Sequence, residues 1–342
     1  MTTAAYTARI ATSGRGAWWW VRPAAAAATL AVLVWRVGAG PFLDGLRAVD
    51  GGALAAASGL AVLTTVCCAW RWKTVARGLG VNLPLGTAVT AYYRSIFLNV
   101  TLPGGVVGDV HRGISHGRDT RDVGRGLRAV AWERSAGQVV QAVLTVAVLL
   151  VAPSPVRAAM PFVALALLAA AAGVALAARV RPAAGRSRWA RLRGAVARDL
   201  RNGLLAARAW PAVALASALV VAGQATTFVI AARTVGVTAP PSRLVPLALL
   251  VLLAAALPNV GGWGPREGVT AWVFAAAGLG ASLGVAAAVA YGVMVFVSSL
   301  PGAVVLAAGW VRRTRSAPSL ERQPVPPARL GVLAPRDGVR DA

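Results

Sequence analysis

Two stretches of the sequence decide the fold. Leu-Pro-Gly-Gly-Val-Val-Gly-Asp occupies residues 102–109, and Leu-Pro-Asn-Val-Gly-Gly-Trp-Gly-Pro-Arg-Glu occupies residues 257–267. Both begin with Leu-Pro, continue through glycines and reach a charged residue within regions that are otherwise apolar. Proline and glycine are the residues that most strongly interrupt a helix. The sequence therefore predicts two broken helical hairpins, one at about 84–128 and the other at about 244–282.

The composition around these stretches is that of a membrane protein. The chain has 342 residues, of which 57% are hydrophobic and only 13% are charged, which is too apolar for an ordinary soluble domain. Apolar runs of about twenty residues are long enough to cross the hydrocarbon layer as helices. We therefore predict an all-α polytopic membrane protein with about six full spans. They lie at 18–37, 53–70, 133–152, 158–179, 211–233 and 284–310.

The formal net charge of +24 suggests nucleic-acid binding at first sight, but the positions of the arginines favour another explanation. They lie between the spans and near the chain ends, where basic residues keep loops in the cytoplasm and contact anionic lipids. The longest basic segments are 180–208 and the tail from Arg312. Arg71, Lys73 and Arg77 mark a further return to the cytoplasmic side. We expect no nucleic-acid partner.

The charge pattern also predicts an internal repeat. If both termini are cytoplasmic, the spans satisfy the charge rule only when both broken hairpins are re-entrant. Each half then has the order span, span, hairpin, span, and the second half starts on the opposite side of the membrane. The predicted parts are a cytoplasmic arm (1–17), repeat 1 (18–152), repeat 2 (153–310) and a disordered tail (311–342). Chance is the alternative, since other eight-element chains can also be halved in this way.

Three acidic residues lie in or beside the apolar segments, and each has an arginine close by in the sequence. An ionised side chain at membrane depth is costly unless it is paired or faces water, so such residues are candidates for function. The alternative is that they form ion pairs that only hold helices together. The pairs suggested by the sequence are Asp109 with Arg112, Glu133 with Arg134, and Glu267 with Arg266.

The glycines of the breaks suggest an anion site. A helix that begins at a glycine-rich break presents unpaired N–H groups and the positive end of its dipole. Arginine guanidinium groups would add bidentate contacts to a phosphate. Arg94 either lines the same cavity or reaches the inner membrane surface. The predicted substrate-binding residues are Arg94, Gly104, Gly105, Gly108, Asp109, Arg112, Glu133, Arg134, Gly262, Gly264, Arg266 and Glu267.

Metal and cofactor chemistry find no support in the sequence. Cys67 and Cys68 are adjacent in an apolar run, and His111 and His116 do not have a usual ligand spacing. Neither break matches the phosphate loop of nucleotide hydrolases. We therefore expect no metal, no cofactor and no catalytic residue.

At these residues the chain resembles the lysylphosphatidylglycerol synthase transmembrane-domain family, whose members are flippase-like integral membrane proteins. Three patches carry the resemblance, which extends over about 20–310. The first runs from Tyr93 through the first break to Arg112, the second is Glu133-Arg134 at the start of a long span, and the third is the second break with Arg266 and Glu267. Each patch alone is unspecific, and their order and spacing make the match.

The resemblance implies a protein that moves an anionic, aminoacylated or glycosylated lipid between the leaflets of a bacterial plasma membrane. In two-part members a C-terminal soluble domain performs aminoacyl transfer, whereas only a short tail follows Arg312 here. We therefore expect a stand-alone member that is a transporter rather than an enzyme, with membrane lipids as its partners. Two alternatives remain open: a membrane-embedded transferase acting on a lipid-linked substrate, and an accessory subunit of a cell-envelope enzyme.

Overall fold

The computed structural model describes residues 28–102, 105–152, 156–179, 194, 199, 209–255 and 263–315. Its regular elements are helices, as predicted. We number them in chain order. They are α1 (Ala28–Val37), α2 (Gly40–Arg47), α3 (Gly51–Gly78), α4 (Leu85–Thr101), α5 (Val107–Asp119), α6 (Val123–Val151), α7 (Met160–Arg179), α8 (Trp210–Thr234), α9 (Pro241–Ala255), α10 (Pro265–Ala276), α11 (Ala281–Ser299) and α12 (Pro301–Arg315).

Four elements of the described chain are long and apolar enough to cross a membrane. They are α3, α6, α8 and the combined length of α11 and α12, Ala281–Arg312. Helices α1 and α2 together pass the same test, but they are bent by 98° at the break between them. Helices α7 and α9 contribute shorter apolar stretches. The protein is thus a multi-pass helical membrane protein, and the count of six full spans stays a prediction.

The predicted breaks separate helices in the structure. In the first region α4 ends at Thr101 and α5 begins at Val107, and in the second α9 ends at Ala255 and α10 begins at Pro265. Gly105 and Gly264 have positive φ angles of 64° and 117°, which glycine adopts without the strain that a Cβ would cause. Glycine is therefore needed at these two positions to turn the chain between helices.

Two helices extend beyond the predicted spans. Helix α3 continues past residue 70 to Gly78, and α6 begins at Val123 rather than near 133. The predicted end of this span at residue 70 is therefore wrong, because Arg71 is buried inside α3. A charged residue was taken as the end of a span, but an arginine that has an ion-pair partner can remain within a helix.

The helices of the two halves pack in the same pattern within the compact unit that ends at Leu306. Helix α3 packs on α8, which occupies the corresponding place in the second half. In the first half α4 packs on α5 and α5 packs on α6, and in the second half α9 packs on α10 and α10 packs on α11. Helix α8 packs on α9 and α11, as α3 packs on α4 and α6. The outer helices follow the same pattern, since α2 packs on α11 and α7 packs on α6.

Close packing inside the first hairpin depends on a glycine. A Cβ atom added to Gly108 of α5 would lie 2.0 Å from the backbone oxygen of Ser95 on α4. The two helices are therefore in backbone contact at this point. Gly126 of α6 serves the next contact in the same way, since its Cβ would lie 2.4 Å from the backbone oxygen of Gly113.

Substitution of Gly108 by alanine is expected to destabilise the protein by about 1–3 kcal/mol, because an added methyl group in a fully packed contact forces the backbone to move. The measurement is the thermal unfolding midpoint in detergent. Gly86→Ala is the matched control on α4, where a Cβ would meet no atom within 4 Å. Equal midpoints for the two variants would contradict the close contact between α4 and α5.

Candidate functional site

Five ionisable side chains from α3, α5 and α6, four of them buried, form one network, which we call the charge cluster. Its members are Arg71, Asp109, Arg112, Glu133 and Arg134. The Glu133 carboxylate is fully buried and accepts from the Arg71 Nε at 2.8 Å and from the Arg112 Nη2 at 2.9 Å. Arg71 Nη1 also donates to the Ser217 hydroxyl of α8 at 3.0 Å. A single carboxylate thus joins three helices, and Arg71 connects them to a fourth.

Asp109 lies in the first turn of α5, directly after the first break. Its carboxylate accepts from Arg112 Nη2 at 2.9 Å, from Asn99 Nδ2 at 2.9 Å and from Arg134. The Asn99 side-chain oxygen in turn accepts from the backbone N–H of Gly108 at 2.8 Å. The start of α5 therefore uses the side chains of α4 to satisfy its own N–H groups.

The Arg112 side chain is buried within the charge cluster. Its guanidinium carbon is 4.0 Å from the centre of the Tyr92 ring and 4.6 Å from the centre of the Trp72 ring. Aromatic faces attract a cation and exclude water from it. With two rings and two carboxylates around it, Arg112 holds the cluster together and is not exposed to a ligand.

The charge cluster carries a net positive charge. Three arginines face two carboxylates, so the five side chains sum to +1. The His116 imidazole packs edge-on against Trp72. It lies outside the candidate spans, and burial lowers its pKa. The neutral form is thereby favoured. Buried charges are stable when paired, so the uncompensated charge makes the cluster a place where an anion is stabilised.

A cavity of about 250 Å³, which we call the central cavity, opens beside the charge cluster. Arg134 lines it with a side chain that is 43% exposed, whereas Arg71 lines it while almost fully buried. The Gln141 amide nitrogen is buried at the same cavity and has no hydrogen-bond partner in the described part of the chain. The other polar residues that line the central cavity are Thr64, Thr65, Tyr92, Gln138, Ser217, Gln224 and Tyr291.

The second hairpin carries a separate ion pair. Arg266 Nε donates to Glu267 Oε1 at 3.0 Å, and the backbone N–H of Gly264 donates to Glu267 Oε2 at 2.7 Å. Glu267 therefore caps the helix α10 that it belongs to. The Arg266 guanidinium lies 5.3 Å from the centre of the Tyr291 ring, and Gly292 leaves room for it. This pair is neutral as a whole, in contrast to the charge cluster.

The structure groups most of the predicted charged residues, and it contains two of the three suggested pairs, Asp109 with Arg112 and Glu267 with Arg266. Asp109, Arg112, Glu133 and Arg134 come together, whereas Arg266 and Glu267 form their own pair. The pairing suggested for Glu133 is corrected, since its partners are Arg71 and Arg112, while Arg134 pairs with Asp109. Glu133 and Arg134 are adjacent on α6 and point in directions about 100° apart, so each reaches a partner on another helix.

The predicted glycines have different places. Gly105 turns the first break, Gly108 packs on α4, and Gly264 gives its N–H to Glu267. Gly104 and Gly262 lie outside the described residues. Arg94 is half-buried on α4. Among the described residues, no group of three or more His, Cys, Asp or Glu side chains could hold a metal ion.

Sequence reasoning missed Arg71 and the glutamines of the central cavity. The sequence signal for Arg71 was the end of the helix. Glycine commonly terminates helices, and Gly78 and Gly80 lie several residues after Arg71. Arg71 therefore had to lie within the helix. The structure adds that Gly137 leaves room for this side chain, because a Cβ there would lie 2.6 Å from Arg71 Nη1. The glutamines gave no such signal, since nothing in their neighbourhood distinguishes them from other polar residues of a span.

Fold and site together define a multi-pass helical membrane protein whose helices enclose a polar, positively charged cavity. The family described as lysylphosphatidylglycerol synthase TM region matches residues 19–302, and the chain belongs to this family. The resemblance found in the sequence is thereby confirmed. A search of curated proteins found no match.

Neutralising Glu133 should destabilise the fold strongly. In the Glu133→Gln variant Arg71 and Arg112 stay buried without their shared carboxylate, which costs about 3–5 kcal/mol. We expect a much smaller yield of monodisperse protein by fluorescence-detected size-exclusion chromatography. Asp122→Asn is the control, because it removes a half-exposed pair with Arg125, worth about 0–1 kcal/mol, and keeps a good helix cap. Similar yields for the two variants would show that the charge cluster does not stabilise the fold.

At the second hairpin, two variants of Glu267 separate charge from capping. Glu267→Gln removes the partner of Arg266 but keeps an acceptor for the Gly264 N–H, whereas Glu267→Ala removes both. We expect both variants to unfold at lower temperature than the wild type, and Glu267→Ala to be less stable than Glu267→Gln by about 1 kcal/mol, the usual contribution of a cap. Differential scanning fluorimetry in detergent measures the order. The reverse order would rule out the capping role.

Proposed function

We propose that the protein translocates a lipid between the two leaflets and binds its anionic headgroup in the central cavity. The observation that carries this proposal is the uncompensated positive charge of the charge cluster beside a partly open cavity lined by polar side chains. Charged groups within membrane segments are costly, and they usually mark the path of a polar substrate. The membership of the family supports a role in lipid modification or lipid flipping.

The size of the central cavity suits a headgroup. A volume of about 250 Å³ holds several groups the size of a water molecule, each of roughly 30 Å³. The cavity is thus too small for a lipid with its chains, so the acyl or polyprenyl tails stay in the bilayer. Arg134 donates to the phosphate from its exposed side, and Arg71 adds positive charge from below. Asp109 and Glu133 keep the two arginines in place.

The repeated packing pattern supports an inverted-topology repeat for the translocation step. Every close contact among α2 to α6 has a counterpart among α7 to α11, and the central cavity is lined by both halves. Rocking of one half against the other around a fixed site is the usual way in which such repeats expose a substrate to alternate sides. We propose six full spans, two re-entrant hairpins, a plasma-membrane location and cytoplasmic termini.

A transferase function has less support from the geometry. The outer carboxylates that would serve as a general base are Asp44 and Asp50. The Asp50 side chain accepts from the backbone N–H of Ala53 at 2.7 Å and so caps α3. Neither residue lines the central cavity. A general base must lie within hydrogen-bond reach of the proton that it removes, so these carboxylates are poorly placed to act on a headgroup bound there.

Substitution of Arg134 by glutamine is expected to slow translocation of a fluorescent anionic phospholipid in proteoliposomes by roughly 10- to 100-fold. The reason is the loss of a charge-assisted hydrogen bond, worth about 1.5–3 kcal/mol. Dithionite quenching of labelled headgroups measures the rate. Arg125→Gln is the matched control, because its side chain is also 43% exposed and also pairs with an aspartate, but it does not line the cavity.

Equal rates for wild type and Arg134→Gln would remove the central cavity from the mechanism. If folded wild-type protein moved no anionic, aminoacylated or polyprenyl-linked lipid, translocation itself would be ruled out. The transferase or an accessory role beside a cell-envelope enzyme would then be the function to test, beginning with co-purification of a partner.

A further inference from the structure

A second cavity of about 160 Å³ adjoins the central cavity, and we call it the hydroxyl cavity. The two share Thr64, Thr65, Ile96, Gln224 and Tyr291 in their linings. The two cavities therefore lie side by side. The hydroxyl cavity extends from this shared wall toward Thr227, Ser298 and Ser299.

Three of the hydroxyl groups that line this second cavity are arranged to accept hydrogen bonds. Thr64 donates to the backbone oxygen of Ala61 at 3.2 Å, Thr227 to that of Gly223 at 2.9 Å, and Ser299 to that of Phe296 at 2.6 Å. Each hydroxyl has one proton and two lone pairs. Since the proton is already used by the helix, the oxygen is left as an acceptor. Several such acceptors in one cavity match a ligand that carries O–H donors.

Neither cavity has a carboxylate in its lining. All acidic residues that precede residue 316 belong to the described part of the chain, so none remains to be added within the membrane region. The nearby charge cluster has a net charge of +1, with both carboxylates engaged by arginines. An ammonium group placed in this space would find no opposite charge and would be repelled by the arginines.

We propose that the substrate is a lipid whose phosphate carries an uncharged polyhydroxyl headgroup, such as glycerol, a cyclic polyol or a sugar, and not an aminoacyl group. The phosphate binds beside Arg134 in the central cavity, and the hydroxyls of the headgroup enter the hydroxyl cavity. The Gln224 amide lines both cavities and contacts the ligand where its phosphate joins the polyhydroxyl group. This inference rests on the proposed function and names its substrate class.

The test is binding of short-chain lipids to the purified full-length protein in detergent, measured by isothermal titration calorimetry. The panel contains dihexanoyl phosphatidylglycerol, its lysyl ester and dihexanoyl phosphatidylinositol. The first two differ only in the aminoacyl group, so their comparison isolates its effect. We expect phosphatidylglycerol and phosphatidylinositol to bind at least about tenfold more tightly than the lysyl ester.

Two adjacent threonines of α8 provide a matched pair of variants. Thr227 lines the hydroxyl cavity, whereas Thr226 is exposed on the other side of the helix, and each hydroxyl donates to the backbone four residues earlier. Valine has nearly the same shape as threonine but lacks the hydroxyl. Thr227→Val is expected to weaken phosphatidylinositol binding about threefold to tenfold, and Thr226→Val to leave it unchanged.

The outcomes separate this inference from the proposed function. Equal or tighter binding of the lysyl ester would overturn the inference and leave translocation standing. Equal effects of Thr227→Val and Thr226→Val would overturn the placement of the headgroup in the hydroxyl cavity. Tighter binding of phosphatidylglycerol and phosphatidylinositol than of the lysyl ester, without translocation in proteoliposomes, would support the inference and overturn the proposed flippase function. Absence of binding for all three lipids would overturn both.

Discussion

The structure depends on the burial of one carboxylate. Glu133 has no exposed surface, and an unpaired charge in such a place would unfold the protein or become protonated. Arg71 from α3 and Arg112 from α5 both donate to it, so these helices and α6 have to meet at this point. Because the cluster contains three arginines and two carboxylates, the contact that holds the helices together also gives the adjoining cavity its positive charge. Stability and the electrostatics of the site thus have the same cause.

The two halves share a pattern and use it for different chemistry. In each, an acidic residue lies in the first turn of the helix after the break: Asp109 in α5 and Glu267 in α10. Glu133 and Tyr291 occupy the same position counted from the starts of α6 and α11. Both halves place an arginine against aromatic rings and a carboxylate, but the first half adds a second carboxylate and two further arginines. The two additional arginines, Arg71 and Arg134, outnumber the one additional carboxylate, so the uncompensated charge lies in the first half.

Particular residues show how far the sequence could lead. The breaks at 102–109 and 257–267 were predictable because proline and glycine act locally, and Asp109, Glu133 and Glu267 stood out because charges are rare in apolar segments. Ion-pair partners were predicted from proximity in the chain, which was right for Arg266 and incomplete for Asp109. Their side chains reach across helix interfaces, and the order of residues along one helix contains no information about which neighbour faces it.

The sequence by itself determined that the protein is helical, that it crosses the membrane several times, and that two of its helical segments are broken. Apolar run length, charge and helix-breaking residues decide these features without reference to the rest of the chain. Only the tertiary structure decided that Arg71 joins the site, that Arg112 is covered by aromatic rings, and that the central and hydroxyl cavities share a wall. The physical reason is that cavities and buried ion pairs form between helices distant in the chain, so they exist only once those helices are packed.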